Sequence, residues 1–312
     1  MKNIFIFLVS FSLMTSITGC SQKETKSEHI NLRNAKDSLS YILGAINAKT
    51  IVESGAKAFE SLDKKQIIIG FNSNLNSYSA DECLLTLKKL FGENYQDFNK
   101  KYVMEGSLCM GKMTGYAFYY DILKLGGKEL LNFNMVKKGF ADGLYKKDAF
   151  LSEEKKGRVI QNFMRVLNEK NGANMMAKAK VIVGAQLFEN GIVIETIKAG
   201  NGPAPGLTDD VKVHYILTSA IGDTIQNSYK MTNKEKKIEP VALSLNGGVI
   251  PGWAYAIPKM KVGGTYRLFV PWELAYGEKQ GRESLCFIVE LIARGKTGSF
   301  TNQEKDIESE KK

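Results

Sequence analysis

The chain has 312 residues, too many for one small core and enough for two or three domains. Its formal charge is +10, but the lysines are scattered among glutamates, without an arginine-rich block or a basic stripe interleaved with aromatics. A solvated, mildly basic surface is therefore favoured over nucleic-acid binding. Two histidines, His29 and His214, are too few and too far apart for a His-based metal site or a Ser-His pair.

The first segment reads as an address. "MKN" supplies positive charge, "IFIFLVSFSLM" is an apolar run of signal-peptide length, and "TSITGC" follows with small residues. The run is short for a membrane span. Ile17-Thr18-Gly19-Cys20 resembles a bacterial lipobox, which implies cleavage before Cys20 and attachment of diacylglycerol to its thiol, with palmitate expected as a lipid of the anchor. Residues 1–20 are thus expected to be a lipoprotein signal. Residues 21–36, nearly devoid of apolar side chains, are expected to be a flexible linker. Beyond Cys20 the cysteines are Cys83, Cys109 and Cys286. An odd count argues against a disulfide framework. Cys83 and Cys109 either pair in an oxidising compartment or, the favoured reading, stay buried free thiols.

From 37 to 188 the pattern is helical. "LSYILGAINAKTIV" has helical apolar spacing, Asp63 is an N-cap candidate before "KKQIIIGFNSNL", and Ser79 with Glu82 has the shape of a capping box. The pattern then repeats. "SLSYILGAINAKTIV" is echoed by "GSLCMGKMTGYAFYY", with Gly44 answering Gly111, and "KKQIIIGFNSNL" by "FNMVKKGFADGL", with Gly70 answering Gly139. The offsets, 67 and 69 residues, define two tandem helical units, about 37–105 and 106–188. A unit of that size buries little alone and is expected to pack against its copy. The last helix is long, and Gly172 is placed to break or bend it.

Past Gly191 the periodicity changes. "IVIETIK", "VKVHYILT", "VALSL", "TYRLFV" and "LCFIVELI" are short, β-branched and bounded by Gly or Pro. The fold class is therefore α+β: an all-helical N-terminal region, then an antiparallel sheet wrapped around one short helix. That helix opens at Pro251, keeps Ile250, Trp253 and Ile257 on one face, has Gly252 to leave room beside the indole, and is stopped by Pro258. The polar tail, 297–312, is expected to be disordered.

Residues 190–295 resemble the FKBP-type peptidyl-prolyl isomerases. The words that carry the resemblance are "VIPGW", "KVGG", "PWELAYG", "VKVHY" and "FIVEL", in the family's order and near its spacing. The lipoprotein signal and helical half resemble bacterial envelope members. The resemblance implies an isomerase domain over 189–296. It implies a pocket with Trp253 as floor, Tyr215, Val249, Ile250 and Phe287 as walls, and Tyr276 at the rim. The Tyr276 hydroxyl and the Ile250 N–H would donate to a substrate carbonyl. Such chemistry calls for no cofactor or metal, because the roughly 20 kcal/mol barrier of an Xaa-Pro bond is amide resonance, and an apolar pocket disfavours the planar amide more than the twisted one.

Three positions depart from the family. Ile225 stands where a phenylalanine is usual, Gln226 where an aspartate is usual, and Val241 where an aromatic opens the next strand. The segment "EKQGRES" is also short and lacks Ile-Pro-Pro. A more open, less aromatic pocket is expected, with a lowered rate or altered sequence preference. The alternative is a catalytically weak or inactive chaperone or peptide-binding lipoprotein on the same fold. A third reading makes the helical repeats a scaffold for another envelope protein. The expected partners are unfolded or nascent proline-containing envelope proteins and a membrane held through Cys20, with no nucleic acid. The expected place is the bacterial envelope, at the periplasmic side of the outer membrane. The chain is expected to be a monomer with an intrachain pseudo-dimer, or a homodimer through its helical half.

Overall fold

The structure is a computed structural model that describes residues 34–54, 60–73, 78–93, 97–147, 152–233 and 236–300. The signal at 1–20, the lipidation site Cys20, nearly all of the linker and most of the tail lie outside the described residues. Among the described residues six α-helices come first: α1 (Ala35–Ser54), α2 (Lys64–Phe71), α3 (Ala80–Phe91), α4 (Val103–Lys124), α5 (Phe133–Leu144) and α6 (Glu153–Ala179). Short polar side chains start all of them but α4. The carboxylate of Asp63 accepts from Gln66 N at 2.9 Å, and the Ser79 hydroxyl accepts from Glu82 N at 3.3 Å. Asn132 and Ser152 cap α5 and α6 in the same way. At α1, Asn34 Oδ1 accepts from Asp37 N at 2.8 Å, so the helix begins at Ala35, two residues inside the stretch read as linker.

The helices pair crosswise. α1 packs on α5, and α2 packs on α4. Glycine makes both approaches close enough for backbone to touch backbone. A Cβ on Gly44 would lie 2.0 Å from Val136 O, and one on Gly111 would lie 2.0 Å from Ile67 O. The polar contacts match. Asn132 N donates to Ser40 Oγ at 2.8 Å, and Asp63 N donates to Ser107 Oγ at 3.0 Å, both hydroxyls fully buried. Phe71 and Phe140 stack with ring centroids 3.7 Å apart. Each contact is therefore mirrored by one at the echoed positions of the sequence.

α6 runs unbroken through Gly172. The glycine is needed for another reason: a Cβ there would lie 2.5 Å from Ser284 Oγ. The helix thus lies directly on the loop before the last strand, where Asn168 Nδ2 donates to Gly281 O at 2.9 Å and Glu169 pairs with Arg282.

Seven antiparallel strands follow: β1 (Gln186–Leu187), β2 (Val193–Lys198), β3 (Asp210–Ser219), β4 (Thr224–Asn227), β5 (Val241–Ser244), β6 (Thr265–Val270) and β7 (Leu285–Gly295). Their order is β1-β2-β6-β7-β3-β4, with β5 also paired to β3. The fold is α+β. β1 falls inside the stretch read as helical, and β4 was not among the expected strands; both are too short to show a period. On β7, Leu285, Phe287, Val289 and Leu291 all point into the core, the alternation expected of a half-buried strand. The sheet curls over helix α7 (Pro251–Ala256), whose Trp253, Ala256 and the following Ile257 are buried. Gly252 does not make room for the indole. Its missing Cβ would meet Val270 Cγ1 at 2.5 Å, so the glycine lets α7 press onto β6.

The tail is ordered further than expected. Gly298 N and Phe300 N donate to the buried carboxylate of Asp210 at 2.9 and 3.2 Å, which ties 296–300 to the start of β3.

Candidate active site

The site is assembled where α7 enters the sheet. Ile250 is extended at φ −62°, ψ 153°, and Pro251 takes the first helical position, so the chain turns sharply from loop into helix. That turn delivers Trp253 to the core side, with 4% of its surface exposed. Its ring is met edge-on by Tyr215 from β3, centroids 5.4 Å apart at 89°, and by Phe287 from β7, 5.2 Å apart at 75°. Two near-perpendicular contacts hold the indole in place. Its Nε1–H is buried without a hydrogen-bond partner.

Above the indole lies a cavity of about 350 Å³, inside the range of roughly 300–1,000 Å³ typical of small-molecule and peptide pockets. Trp253, Tyr215, Phe287, Val249, Ile250, Tyr276 and Gln226 all line it. Tyr276, 48% exposed, stands at the mouth. Two of the nine expected site residues are elsewhere. Ile225 is 52% exposed: it neighbours Gln226 on a strand, so the pleat sends the two side chains to opposite faces. Val241 pairs with Val213 and does not line the cavity; Leu243, two positions on and on the same face of β5, does. Gly247 and Gly248 also line it and were not anticipated. The i+2 rule applied to "VALSL" would have found Leu243; nothing in the sequence pattern marks the glycines as pocket residues.

The polar groups form a short chain. The Tyr215 hydroxyl donates to Gln226 Oε1 at 2.8 Å, and Gln226 Nε2 points to Met231 Sδ at 3.6 Å. Burial, with a smaller contribution from the neighbouring Tyr276, pushes the Tyr215 phenol above its ordinary value, so it stays a neutral donor. The loop behind Tyr276 is clasped by the Arg282 guanidinium, which pairs with Glu278 and Glu169 and lies 4.9 Å over the Trp272 ring. This is an apolar, indole-floored slot with hydroxyl and amide groups at its edge. It can bind a small ring and hydrogen-bond a carbonyl.

A curled antiparallel sheet holding a short helix, with such a slot between them, defines an α+β domain with an apolar, aromatic-lined cleft. A family model described as FKBP-type peptidyl-prolyl cis-trans isomerase matches residues 202–292. The outer membrane protein MIP of Legionella longbeachae is 30% identical over 183 residues, covering 52% of this chain and 76% of that protein. The peptidyl-prolyl cis-trans isomerase Mip of Coxiella burnetii is 29% identical over 207 residues, covering 60% of this chain and 84% of that protein. The isomerase FkpA of Aeromonas hydrophila is 31% identical over 182 residues, covering 52% of this chain and 65% of that protein, slightly under two thirds of its length. The chain belongs to the FKBP-type peptidyl-prolyl cis-trans isomerase family.

Proposed function

We propose that this chain catalyses cis-trans exchange at Xaa-Pro bonds of envelope proteins, with a proline ring seated on Trp253. The observation that carries the reading is the cavity of about 350 Å³ directly over that buried indole. In the proposed mechanism no bond to the enzyme forms. Val249, Ile250 and Phe287 exclude water from the imide. The Ile250 N–H and the Tyr276 hydroxyl donate to substrate carbonyls and hold the peptide while the bond turns. The planar amide, with its charge separation, is poorly solvated in such a slot, and the twisted form loses less by entering it. Tyr215 and Gln226 set the polar edge, and their mutual hydrogen bond keeps both side chains in place.

Beyond the pocket, the same reading takes 189–296 as the isomerase domain and 37–188 as a helical domain of two repeats. The crosswise contacts of α1 with α5 and α2 with α4 support a single chain that completes its own helical pairing, and hence a monomer. Sedimentation that finds a tight dimer joined through the helices would reject this. A lipid anchor at Cys20 and a place at the periplasmic side of the outer membrane rest on the sequence of the first 20 residues. The name of the Legionella relative supports an envelope location. Among the described residues no helix is long and apolar enough to cross a membrane.

The decisive experiment is magnetisation-exchange NMR on a short Leu-Pro peptide with the full chain in a non-ionic detergent. Catalysed exchange is expected. Absence of acceleration, with aggregation of an unfolded client still suppressed, would establish the chaperone reading instead.

A further inference from the structure

The loop that carries Tyr276 joins β6 to β7, from Pro271 to Ser284. Past Pro271 it contains no proline, and Gly277 and Gly281 both lie at positive φ, +67° and +65°. Such a stretch has little stiffness of its own. Tyr276 adds none. Among the described residues its hydroxyl has no hydrogen-bond partner and its ring stacks on no other, and the residue is 48% exposed. The position of that hydroxyl is therefore the position of its loop.

Arg282 supplies the missing stiffness. Its φ is +58°, a left-handed backbone that a residue with a Cβ rarely adopts and that persists where surrounding contacts hold it. Those contacts fall on both sides of Tyr276. Before it, the guanidinium lies 4.9 Å over the Trp272 ring. After it, Nε donates to Glu278 Oε1 at 2.8 Å, and the Arg282 backbone N–H donates to Gly277 O at 3.2 Å. The last anchor comes from outside the loop, where Nη1 pairs with Glu169 of α6. Beside it, Asn168 Nδ2 donates to Gly281 O at 2.9 Å. Gly172 lets the helix come against Ser284, whose Oγ accepts from Trp272 N at 3.2 Å. Residues 168, 169 and 172 share one face of α6, so the helical half grips the loop at 281, 282 and 284.

We propose that Arg282 is a positioning residue for the Tyr276 hydroxyl, and that Glu169 and Asn168 of α6 complete its clasp, so that the helical half sets how well the rim of the slot holds a substrate. The proposal rests on the isomerase reading, in which that hydroxyl donates to a substrate carbonyl. A donor on a loose loop must be ordered each time a peptide binds, and a loop fixed beforehand removes that cost. A guanidinium suits the task. Its planar fork reaches the carboxylates of Glu169 and Glu278 while its face lies on an indole, which a lysine ammonium cannot do at once.

The test is a double-mutant cycle in the full chain in non-ionic detergent, read by exchange NMR on acetyl-Ala-Leu-Pro-Phe-amide. Asn168→Ala together with Glu169→Ala removes both α6 side-chain contacts and leaves every residue of the slot in place. kcat/KM is expected to fall about threefold, within the roughly two- to fivefold that the hydroxyl itself supplies. In a Tyr276→Phe background the same pair of substitutions is expected to change the rate less than about 1.5-fold, because the group it positions is gone. Arg282→Gly, which suits the left-handed φ but drops the guanidinium, is expected to lose as much as the α6 pair. Fluorine NMR of the 3-fluorotyrosine-labelled chain adds a readout that a general loss of stability would not give. The Tyr276 signal, assigned by its absence in Tyr276→Phe, should shift in the α6 variant while the tyrosine signals of the helical half stay. Circular dichroism checks folding. Equal losses with and without the Tyr276 hydroxyl, an unchanged rate in the α6 variant, or full rate in Arg282→Gly would overturn the proposal and leave the isomerase reading standing. A wild-type chain that accelerates no exchange removes the isomerase reading, and the proposal with it.

Discussion

Truncating Trp253 to alanine tests the floor of the slot and the core beneath it together. The ring is almost wholly buried and makes two edge contacts, with Tyr215 and Phe287. Each is worth about 0.5–1.5 kcal/mol beyond burial, within a total of about 3–5 kcal/mol for a Trp→Ala change in a core. The gap cannot close by sliding α7, because Gly252 is already pressed against Val270 and Leu274 O. The loss should therefore lie near the middle or top of that range, about 4 kcal/mol, and lower the melting midpoint by on the order of 10–20 °C. The rate falls for a separate reason. A proline ring offers three methylenes; uncovering one face of it forfeits ~1.2 kcal/mol, about tenfold in kcat/KM. Exchange NMR well below the variant's midpoint, with circular dichroism as a check on folding, separates the two effects. Trp253→Leu, which keeps an apolar floor, should lose less of both. A folded Trp253→Ala protein with kcat/KM within twofold of wild type would show that the indole is core only, and the proposed seat for proline would be wrong.

Tyr276→Phe removes a hydroxyl from a half-exposed ring, so stability should change by less than about 0.5 kcal/mol, while kcat/KM drops about two- to fivefold, less than for Trp253→Ala. In the helical half, Gly44→Ala and Gly111→Ala each drive a methyl into a carbonyl 2.0 Å away and should cost about 1–3 kcal/mol or more in urea titrations. Gly157→Ala, with nothing within 4 Å, should be neutral or stabilising; equal effects at all three sites would contradict the crosswise packing. Burial first, then the hydrogen bond and charge of Cys109, pushes the Cys83 thiol up to about 12, and burial likewise pushes Tyr78 up to about 12. The folded chain holds these protons where the unfolded chain releases them. Their contribution is complete below about pH 9 and is lost as pH rises toward 12. Denaturant midpoints should fall across that window, and Cys83→Ala should flatten the fall; a slope unchanged by the substitution would disprove the assignment. Cys83 should also alkylate slowly at pH 8.

Local chemistry was legible from the residues alone. Asp63 and Ser79 sit at helix starts because a side-chain oxygen next to free N–H groups needs no tertiary help. The alternation of β7 set Phe287 on its apolar face and the turn "VIPGW" set Trp253 at the start of a helix, while the family resemblance put the two in one pocket. The misses share a cause. Ile225 was expected at the pocket from its place in a motif, but the pleat of a four-residue strand turned it to solvent. Leu243 displaced Val241 because the depth of a strand residue depends on where its partner β3 lies under the helix.

The chain by itself determined most of the helices and strands, that two helical stretches echo one another, and that a short helix opens at Pro251 with Trp253 on its apolar face; the aromatic set around that helix came from the resemblance. Periodicity, capping and turn chemistry act over a few residues and leave their mark in the order of letters. Only the tertiary structure decided that Gly172 is a contact with Ser284 and not a break, that Gly252 serves β6 and not the indole, and that the Gln226 oxygen is occupied by Tyr215. A glycine reads the same whether it bends a helix or lets a neighbour approach. Which of these it does depends on atoms brought to it from a hundred residues away.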